Sequence, residues 1–287
     1  GGRRLIIRLT FCPRKIFINP MKAIKKILFL AAAFAALSAY SSDGRSPHRM
    51  GNQIVVTFDK PWNVSLEEGV RFDPKCTDPD VKLDVYYPDL PWGNYEKCKV
   101  PCLIAIHGGG WSMGNEKKFA MMAAYMASKG YVVACISYRL WPEYDWDCAL
   151  FDAKRALAWL KKNASRYFGD PEKIGVVGGS SGGVMSVQLA ATTRTFWSSH
   201  FFEGIDDSVQ ACVAMAAGCD MTNPRRFGKM FGNDHKKAAR YSPYTYLNPS
   251  MPPVLLLHAK NDPAVTSNES RMMKSALDKR GVKCEAV

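Results

Sequence analysis

The sequence predicts an α/β fold in which a mostly parallel central sheet is flanked by helices. Short β-rich segments alternate along the chain with segments of helical periodicity, which is the pattern of a doubly wound sheet. Apolar runs such as LIAI (103–106) and VLLL (254–257) are unbroken, as expected for central strands covered on both faces. The stretch from Asp220 to Leu247 interrupts this alternation, because it is polar and rich in Gly, Pro and Tyr. It predicts a small cap inserted over the carboxyl edge of the sheet.

The individual elements follow from the same patterns. Seven segments have the character of strands: 54–58, 81–87, 102–108, 131–138, 173–178, 209–215 and 254–259. Four segments between them have helical patterns: Glu116–Lys129, Cys148–Asn163, Gly183–Thr192 and Asn268–Lys279. The chain of 287 residues is long enough for one large α/β domain or two small ones.

The amino-terminal residues predict export. From Met21 the chain has three lysines, an apolar run from Ile27 to Leu37 and then small residues, the layout of a secretory signal peptide. The apolar run is too short to span a bilayer comfortably, and no cysteine follows it closely to carry a lipid. A retained membrane anchor is the alternative. We therefore expect a bacterial protein that is secreted or periplasmic and has no stable membrane anchor.

This interpretation divides the chain into four parts. Residues 1–20 lack an initiating methionine and are expected to be a read-through leader, and residues 21–39 are the signal peptide. A polar linker follows at 40–51, and the folded domain occupies 52–287, with the cap at about 220–247.

The net charge of +13 does not indicate nucleic-acid binding. Residues 1–26 hold eight lysines and arginines and no acidic residue, which leaves 31 basic and 26 acidic residues in the rest of the chain. Nucleic-acid binding requires a concentrated basic face, and no basic stripe interleaved with aromatic residues is present. We expect no nucleic-acid partner.

Of the nine cysteines, Cys12 lies in the leader, and six of the other eight fall into two groups. Cys135 and Cys212 lie in apolar strand-like runs, where a buried free thiol is expected. Four others lie nearer predicted loops and are candidates for a disulfide whose connectivity the sequence leaves open: Cys76, Cys98, Cys102 and Cys148. No spacing of cysteines and histidines predicts a metal site, and we expect no cofactor.

A glycine-rich loop, HGGGW (107–111), directly follows a predicted strand. Ligands of parallel α/β sheets bind where strands end and helices begin. Three consecutive glycines leave bare amides that can approach a ligand closely. Amides that converge on one point stabilise an oxyanion in an acyl-transfer transition state. The alternative is a flexible turn.

A second glycine-rich loop, GGSSGG (178–183), contains two overlapping G-x-S-x-G frames, one centred on Ser180 and one on Ser181. An apolar strand precedes the loop and a helix-capable run follows it, as in a nucleophile turn. Such a turn needs small residues two positions before and after the serine, and both frames meet this need. The strand length favours Ser180, because Gly178 directly follows the last apolar residue, Val177.

Six stretches give the chain a resemblance to a known family: LDVYYP (83–88), HGGGW (107–111), SYRLWPE (137–143), DPEKIGVVGGSSGG (170–183), SPYTYL (242–247) and PPVLLLHAKND (252–262). They are similar to α/β-hydrolase serine esterases of the hormone-sensitive-lipase type and to bacterial acetylxylan and feruloyl esterases. The similarity extends from about residue 52 to the end of the chain. It implies an α/β-hydrolase fold.

The resemblance also implies roles for individual residues. The pattern D-P-x-x-I-x-V-x-G-x-S-x-G-G, placed on Asp170, assigns the nucleophile to Ser180. The backbone amide of Ser181 then joins those of Gly109 and Gly110 in the oxyanion hole.

The same resemblance makes Asp262, after the strand VLLL, the catalytic acid. A loop aspartate that caps the helix from Asn268 is the alternative. All five histidines precede Asp262: His48, His107, His200, His235 and His258. His235 lies in the expected cap and is a poor substitute for the base, and His258 lies in a strand. In the similar enzymes the base follows the strand that starts here as KCEAV (283–287), so the expected catalytic histidine lies beyond Val287, together with a last strand and helix.

The expected function is that of a secreted carboxylic-ester hydrolase acting on short acyl, acetyl-type esters of plant polysaccharide. Trp111, Trp141 and Tyr144 are candidates to line the sugar side, although each is equally consistent with packing. The alternative, because no histidine follows Asp262, is a catalytically inactive binding protein with a hydrolase fold. An exopeptidase of the prolyl-oligopeptidase type would need a propeller for which the chain has no room. The motifs leave acyl and alcohol specificity and the oligomeric state open.

Overall fold

The computed structural model describes residues 64–89, 99–193, 206–232 and 234–287. Eight strands lie within these ranges: β1 Val64–Val70, β2 Leu83–Pro88, β3 Val100–Ile106, β4 Val132–Ile136, β5 Gly169–Gly179, β6 Ala211–Met215, β7 Val254–Leu257 and β8 Cys284–Ala286. They form one sheet in the order β1-β2-β4-β3-β5-β6-β7-β8. The pairs of β2 with β1 and with β4 are antiparallel, and all other pairs are parallel. The predicted fold class is confirmed.

Six α-helices lie in the same ranges: α1 Ala120–Ser128, α2 Trp146–Asn163, α3 Ser181–Ala191, α4 Pro224–Phe231, α5 His235–Tyr241 and α6 Asn268–Asp278. Three short 3-10 helices accompany them at Glu116–Phe119, Ala164–Tyr167 and Pro243–Tyr246. The expected helix over 116–129 is therefore a 3-10 turn that continues into α1. None of the helices described here combines the length and apolarity that crossing a membrane requires.

The two faces of the sheet bury separate clusters of apolar side chains, because successive residues of a strand point to opposite faces. In β3, Ile104 belongs to the larger cluster, which includes α2, α3 and α6, whereas Leu103 belongs to the smaller cluster under α1. In β7, Leu256 and Leu257 divide in the same way. Central strands covered on both faces explain the unbroken apolar runs in the sequence.

The first predicted strand and the first observed strand are different segments of the chain. The segment 54–58 lies outside the described residues. Strand β1, with the sequence VSLEEGV, is not among the predicted strands, because it is an edge strand whose residues are half-buried or exposed and show no apolar run.

The strand expected to start at KCEAV (283–287) is present as β8, and the further strand and helix expected beyond Val287 stay a prediction. Residues 284–286 form β8, which pairs in parallel with β7 and sets Cys284 opposite Val254 and Ala286 opposite Leu256. The Val287 amide continues the ladder with a hydrogen bond of 2.9 Å to the Leu256 carbonyl. The strand forms here because the free edge of β7 offers partners to the few residues that follow α6.

The segment predicted as a cap, about 220–247, contains α4, α5 and the 3-10 helix Pro243–Tyr246. Asn223 and Asp234 cap the two α-helices by accepting hydrogen bonds from the amides of Arg225 and Lys237. These helices have eight and seven residues, which is too short for a clear helical period in the sequence. Their aromatic side chains pack on the large cluster, with Phe231 5.1 Å from Trp146 between ring centroids.

The cysteines of the described ranges are free thiols: Cys76, Cys102, Cys135, Cys148, Cys212, Cys219 and Cys284. Cys135 and Cys212 are buried as predicted, and burial raises the pKa of both thiols. Three of the four disulfide candidates are thus unpaired, and Cys98 lies outside the described residues.

Candidate active site

Ser180 occupies a sharp turn between β5 and α3. Its backbone angles are φ +53° and ψ −119°, a strained combination for a residue with a side chain. The Ser180 amide donates a hydrogen bond of 2.8 Å to the carbonyl of Met215, and its own carbonyl accepts one of 3.0 Å from the Val184 amide. These bonds hold the turn while the residue remains exposed at the carboxyl edge of the sheet.

The glycines around this turn distinguish the two serine frames. A Cβ on Gly178 would overlap the carbonyl oxygen of Gly182, and one on Gly182 would overlap the carbonyl oxygen of Ile106. A Cβ on Gly179 would meet only ordinary van der Waals neighbours, the nearest at 3.5 Å. A Cβ on Gly183 would also be too close to a backbone atom, at 2.9 Å from the Met215 carbonyl oxygen. Because Gly179 has room for a side chain, only the frame centred on Ser180 needs glycine both two positions before and two positions after its serine.

Ser181 faces inward. It is 2% exposed, so its hydroxyl is shielded from any molecule that approaches from solvent. Because it is the first residue of α3, its amide is among the donors that a helix leaves without an intrahelical partner. This location suits the predicted role of the Ser181 amide in an oxyanion hole, and it excludes the Ser181 hydroxyl as an accessible nucleophile.

The HGGGW loop lies directly against the serine turn. A Cβ on Gly108 would stand 2.6 Å from the carbonyl oxygen of Gly179 and 3.1 Å from the Cβ of Ser180. Gly109 and Gly110 follow with φ angles of +140° and +61°, which glycine adopts without strain. Their amides donate no hydrogen bond within the described part of the chain, so they are available to a ligand.

His107 anchors the start of this loop. Its Nδ1 lies 3.0 Å from the carbonyl oxygen of Gly108, and its ring stacks on Tyr138 at a centroid distance of 4.2 Å. A Cβ on Gly114 would overlap the His107 ring, so the end of the loop folds back over the imidazole. Burial lowers the pKa of His107 to about 4, so the ring is neutral at pH 7. Buried and neutral, His107 supports the loop.

Asp262 lies beyond the carboxyl end of β7. Gly179 of β5, Met215 of β6 and Leu257 of β7 are aligned across three neighbouring strands, so the loops after β5 and β7 emerge at one edge of the sheet. The Oδ1 atom of Asp262 accepts hydrogen bonds of 2.8 and 2.9 Å from the amides of Ala264 and Val265. These bonds orient the carboxylate, whose side chain is 11% exposed.

The described histidines make no hydrogen bond with Ser180. His258 is held by its own partners, with Nδ1 2.7 Å from Ser270 Oγ and Nε2 2.7 Å from the Val265 carbonyl oxygen. Since that carbonyl only accepts, Nε2 donates and the ring has a structural role. His235 begins α5 and is exposed in the cap segment. His48 and His200 lie outside the described residues.

The three aromatic candidates for the sugar side have different surroundings. Trp111 is buried and packs on Trp146 and Phe227, at centroid distances of 4.5 and 6.2 Å. This is the environment of a packing residue, and its contact with substrate stays a prediction. Trp141 and Tyr144 lie on the loop after β4 and are half-buried. The ring of Tyr144 lies 5.6 Å from the guanidinium carbon of Arg139.

The structure adds Phe119, which sequence patterns do not single out, to the surroundings of the serine turn. A Cβ on Gly179 would be 3.5 Å from Phe119 Cζ and 3.9 Å from Met215 Cε, so both side chains border the backbone just before Ser180. The 3-10 turn that carries Phe119 is fixed to the end of β4, because Ser137 Oγ bonds both the amide and the carboxylate of Glu116. The two segments are remote in sequence, and only the fold brings them together.

No group of three or more histidine, cysteine, aspartate or glutamate side chains is arranged to hold a metal ion in the ranges that the structure describes. The loops that meet at Ser180 present the backbone amides of Gly109, Gly110 and Ser181. Amide donors of this kind suit the stabilisation of an oxyanion.

Residues 83–277 match the sequence profile of the BD-FAE family. The chain belongs to the BD-FAE family. This BD-FAE chain is 32% identical, over an alignment of 294 residues, to the probable carboxylic ester hydrolase LipM of Mycobacterium tuberculosis. It is 30% identical, over 214 residues, to the esterase LipQ of the same organism. These relatives bear out the resemblance to α/β-hydrolase esterases of the hormone-sensitive-lipase type.

Each alignment covers a different share of this chain and of the relative. The LipM alignment covers 87% of the BD-FAE chain and 68% of LipM. The LipQ alignment covers 69% of the BD-FAE chain, which spans 50% of the length of LipQ. Among solved structures, a truncated carbohydrate esterase from gut microbiota is similar with a TM-score of 0.67 and 22% identity, over 78% of this chain and 86% of that one. At 22% identity, this structural similarity shows that the two chains share a fold and nothing further.

Proposed function

We propose that this BD-FAE protein is a serine carboxylic-ester hydrolase that acts through an acyl-enzyme on Ser180. The observation that carries the proposal is the juxtaposition of a strained, exposed serine with free amides. Ser180 has a φ of +53°, and Gly108 approaches it closely enough that a Cβ there would lie 3.1 Å from that of the serine. The esterase relatives LipM and LipQ support the same reaction class.

The proposed reaction has two steps, formation of the acyl-enzyme and its hydrolysis. Ser180 Oγ attacks the ester carbonyl carbon, and the oxyanion that forms is stabilised by the amides of Gly109, Gly110 and Ser181. The carbon–oxygen bond to the alcohol then breaks, and the alcohol leaves with the proton that the base took from Ser180. Water hydrolyses the acyl-enzyme by the same route, while Asp262 orients the base and stabilises its charged form.

The base in this proposal is a histidine that lies beyond Val287. Ala286 of β8 is paired with Leu256 of β7, so Val287 lies beside Leu257. Leu257 is in turn aligned with Met215 of β6 and Gly179 of β5. Residues that follow Val287 would therefore leave β8 at the same sheet edge as Ser180 and Asp262. Reading the codons after Val287 tests this assignment. A G-x-x-H motif within about fifteen codons supports it, and an immediate stop favours the binding protein without catalysis.

The acyl group in this proposal is short. The ring of Phe119 and the methyl group of Met215 border the backbone at Gly179, and Met215 is buried. Two large apolar side chains beside the residue before the nucleophile restrict the space for an acyl chain on the α1 side of the sheet. An acetyl ester of a plant polysaccharide is the leading substrate, with Trp141 and Tyr144 on the sugar side.

Export is part of the proposal, with residues 21–39 as the signal peptide and the mature chain beginning near Tyr40. The support is the charged start, apolar middle and small-residue end of this segment. Amino-terminal sequencing of the protein purified from its native host tests it. Recovery of residues 21–39 on that protein would contradict export by cleavage.

The activity is tested on the protein expressed from its complete coding region, with p-nitrophenyl acetate and acetylated xylan as substrates. Ser180→Ala should abolish hydrolysis and labelling by a phosphonate ester, because the nucleophile is lost. Asp262→Asn should reduce kcat by several orders of magnitude and leave labelling slow but detectable. Equal activity of Ser180→Ala and the natural protein would refute the serine mechanism. Hydrolysis confined to acyl chains of eight or more carbons would refute the short-acyl substrate.

A further inference from the structure

Arg226, in the first turn of α4, extends from the cap segment to the loop that carries Asp262. Its Nη2 atom donates a hydrogen bond of 3.0 Å to the carbonyl of Ala264. The amide of the same residue, Ala264, donates a hydrogen bond of 2.8 Å to Asp262 Oδ1. Ala264 therefore connects the guanidinium of Arg226 to the carboxylate of Asp262.

A carboxylate on the far side of this loop also faces the guanidinium. Glu269 lies in the first turn of α6, the helix that follows the Asp262 loop. Its Oε1 atom is 3.6 Å from Arg226 Nη1, which makes an ion pair and not a hydrogen bond. The side chains of Arg226 and Glu269 are 26% and 12% exposed, so water only partly screens their attraction. Arg226 thus contacts both ends of the connection between Asp262 and α6.

Gly218, in the loop after β6, leaves the space that the guanidinium fills. A Cβ on Gly218 would overlap Arg226 Nη1 and lie 2.8 Å from Cζ, whereas the next neighbour, Val265 Cγ1, would be 3.5 Å away. Gly218 is not among the described glycines with positive φ, so its backbone does not require glycine. Glycine is needed at position 218 because Arg226 packs where a side chain would begin.

The loop after β6 lies between the serine turn and the Asp262 loop, because β6 is between β5 and β7 in the sheet. At its start, the Met215 carbonyl accepts a hydrogen bond of 2.8 Å from the Ser180 amide. The next amide, that of Ala216, donates a bond of 2.8 Å to the Leu257 carbonyl at the end of β7. A side chain that packs on this loop and also bonds the Asp262 loop therefore links the acid to the serine turn.

We propose that Arg226 is a positioning residue that holds the Asp262 loop against the loop after β6 and so sets the acid relative to Ser180. The inference rests on the proposed esterase function, with Asp262 as its acid. A carboxylate orients a catalytic base only when the carboxylate is itself held in place. His258 fixes the later part of the loop by bonding the Val265 carbonyl. Arg226 fixes the part next to the acid.

The test is Arg226→Met in the protein expressed from its complete coding region. Methionine keeps the apolar stem and removes the guanidinium, so the contacts with Ala264 and Glu269 are lost together. We expect kcat on p-nitrophenyl acetate to fall about 10- to 100-fold, with KM within about twofold of the natural value, because the acid acts in the transition state. Arg225→Met is the matched control. Arg225 precedes Arg226 in α4, carries the same charge and is exposed, so kcat should not change.

Gly218→Ala tests the same contact without removing the arginine. The new methyl group displaces the guanidinium, which is the end of a flexible side chain, and meets no backbone atom among its nearest neighbours. We expect kcat to fall as in Arg226→Met, and the double variant should be no slower than Arg226→Met alone, because the methyl group then has space. Hydrogen exchange at the amides of Ala264 and Val265 should become faster in each single variant, while exchange in β3 stays unchanged.

A third comparison separates positioning from loss of stability. A fall in the folded fraction lowers activity by the same factor in any background, whereas positioning acts through Asp262. In an Asp262→Asn background, Arg226→Met should therefore change the rate of phosphonate labelling at Ser180 by less than about twofold.

The proposal would be overturned by additive losses in that background, by an unchanged kcat in Arg226→Met or Gly218→Ala, or by a rise in KM at constant kcat. If the natural protein hydrolyses no ester and a phosphonate does not label Ser180, the esterase function fails. The positioning role then fails with it, even where hydrogen exchange in the loop responds to Arg226→Met.

Discussion

Gly108 and Ser180 are packed so closely that a methyl group on Gly108 would lie 3.1 Å from the Cβ of Ser180 and 2.6 Å from the Gly179 carbonyl oxygen. The second distance is shorter than real Cβ contacts allow, and the neighbour is backbone, so Gly108→Ala must displace the loop. A displacement of about 1 Å at a catalytic site lowers the rate about 100-fold. We expect a loss of this size in kcat/KM for p-nitrophenyl acetate.

Gly130→Ala is the control for this prediction. Gly130 has a φ of +86° and no atom within 4 Å of the Cβ position, so alanine there meets strain but no clash. It should lower Tm through about 1–2 kcal/mol of backbone strain and leave kcat/KM unchanged. Full activity in Gly108→Ala would show that the loop is not seated against Ser180.

Phe119 should limit the length of the acyl chain. Phe119→Ala removes the ring that borders Gly179 and opens space beside the residue that precedes Ser180. We expect kcat/KM for p-nitrophenyl hexanoate, relative to the acetate, to rise about tenfold, in line with the 1–3 kcal/mol that one methylene contributes in an apolar pocket. Preference among different alcohols should stay constant.

Met121→Ala is the matched control for Phe119, since Met121 is 65% exposed and lies on the same segment. A change in alcohol preference without a change in acyl chain-length preference would show that Phe119 borders the alcohol group of the ester and not its acyl group.

His107 should make stability depend on pH. Burial holds the pKa of His107 at about 4 in the folded state, against 6.5 when unperturbed. Between these values the unfolded chain binds a proton that the folded chain does not. The contribution of the neutral His107 ring to the free energy of unfolding is therefore fully present above pH 6.5. It is lost as pH falls towards 4, by up to about 1.4 kcal/mol per pH unit.

Urea unfolding at pH 7 and pH 5 measures this loss. His107→Gln should have a smaller difference in unfolding free energy between the two pH values, whereas the exposed His235→Gln should match the natural protein. An identical pH dependence in His107→Gln would show that His107 does not titrate as a buried neutral ring.

Lys154 and Asp207 form a buried ion pair of 2.7 Å between α2 and the segment before β6. Burial lowers the pKa of Lys154, and Asp207 opposes that effect. Asp207→Leu should destabilise the fold by about 3–5 kcal/mol, because it leaves a buried ammonium without its carboxylate. Adding Lys154→Met should restore much of this loss. Asp278→Ala, which breaks the exposed pair with Lys274, should change Tm little, and thermal unfolding compares the three variants.

Much of the fold could be predicted from the sequence because central strands leave strong local patterns. The runs LIAI and VLLL are apolar on both faces, and the structure buries each of them. Strand β1 could not be predicted in this way, because an edge strand with residues such as Glu67 and Glu68 keeps polar side chains in water. The three residues of β8 form a strand only because β7 provides an edge, which is a tertiary effect.

The sequence by itself determined that two glycine-rich loops follow strand ends, because runs of glycine and apolar strands are local features. The role of Asp262 as the acid came from the family resemblance and stays a proposal. The sequence left two serine frames open on steric grounds. The tertiary structure adds a steric argument for Ser180 that the sequence lacked, since the close approach of Gly178 to the Gly182 carbonyl exists only after β5 and α3 pack together. Arg226 and Phe119 likewise gained their places beside the site from the packing of distant segments, and no local pattern encodes such contacts.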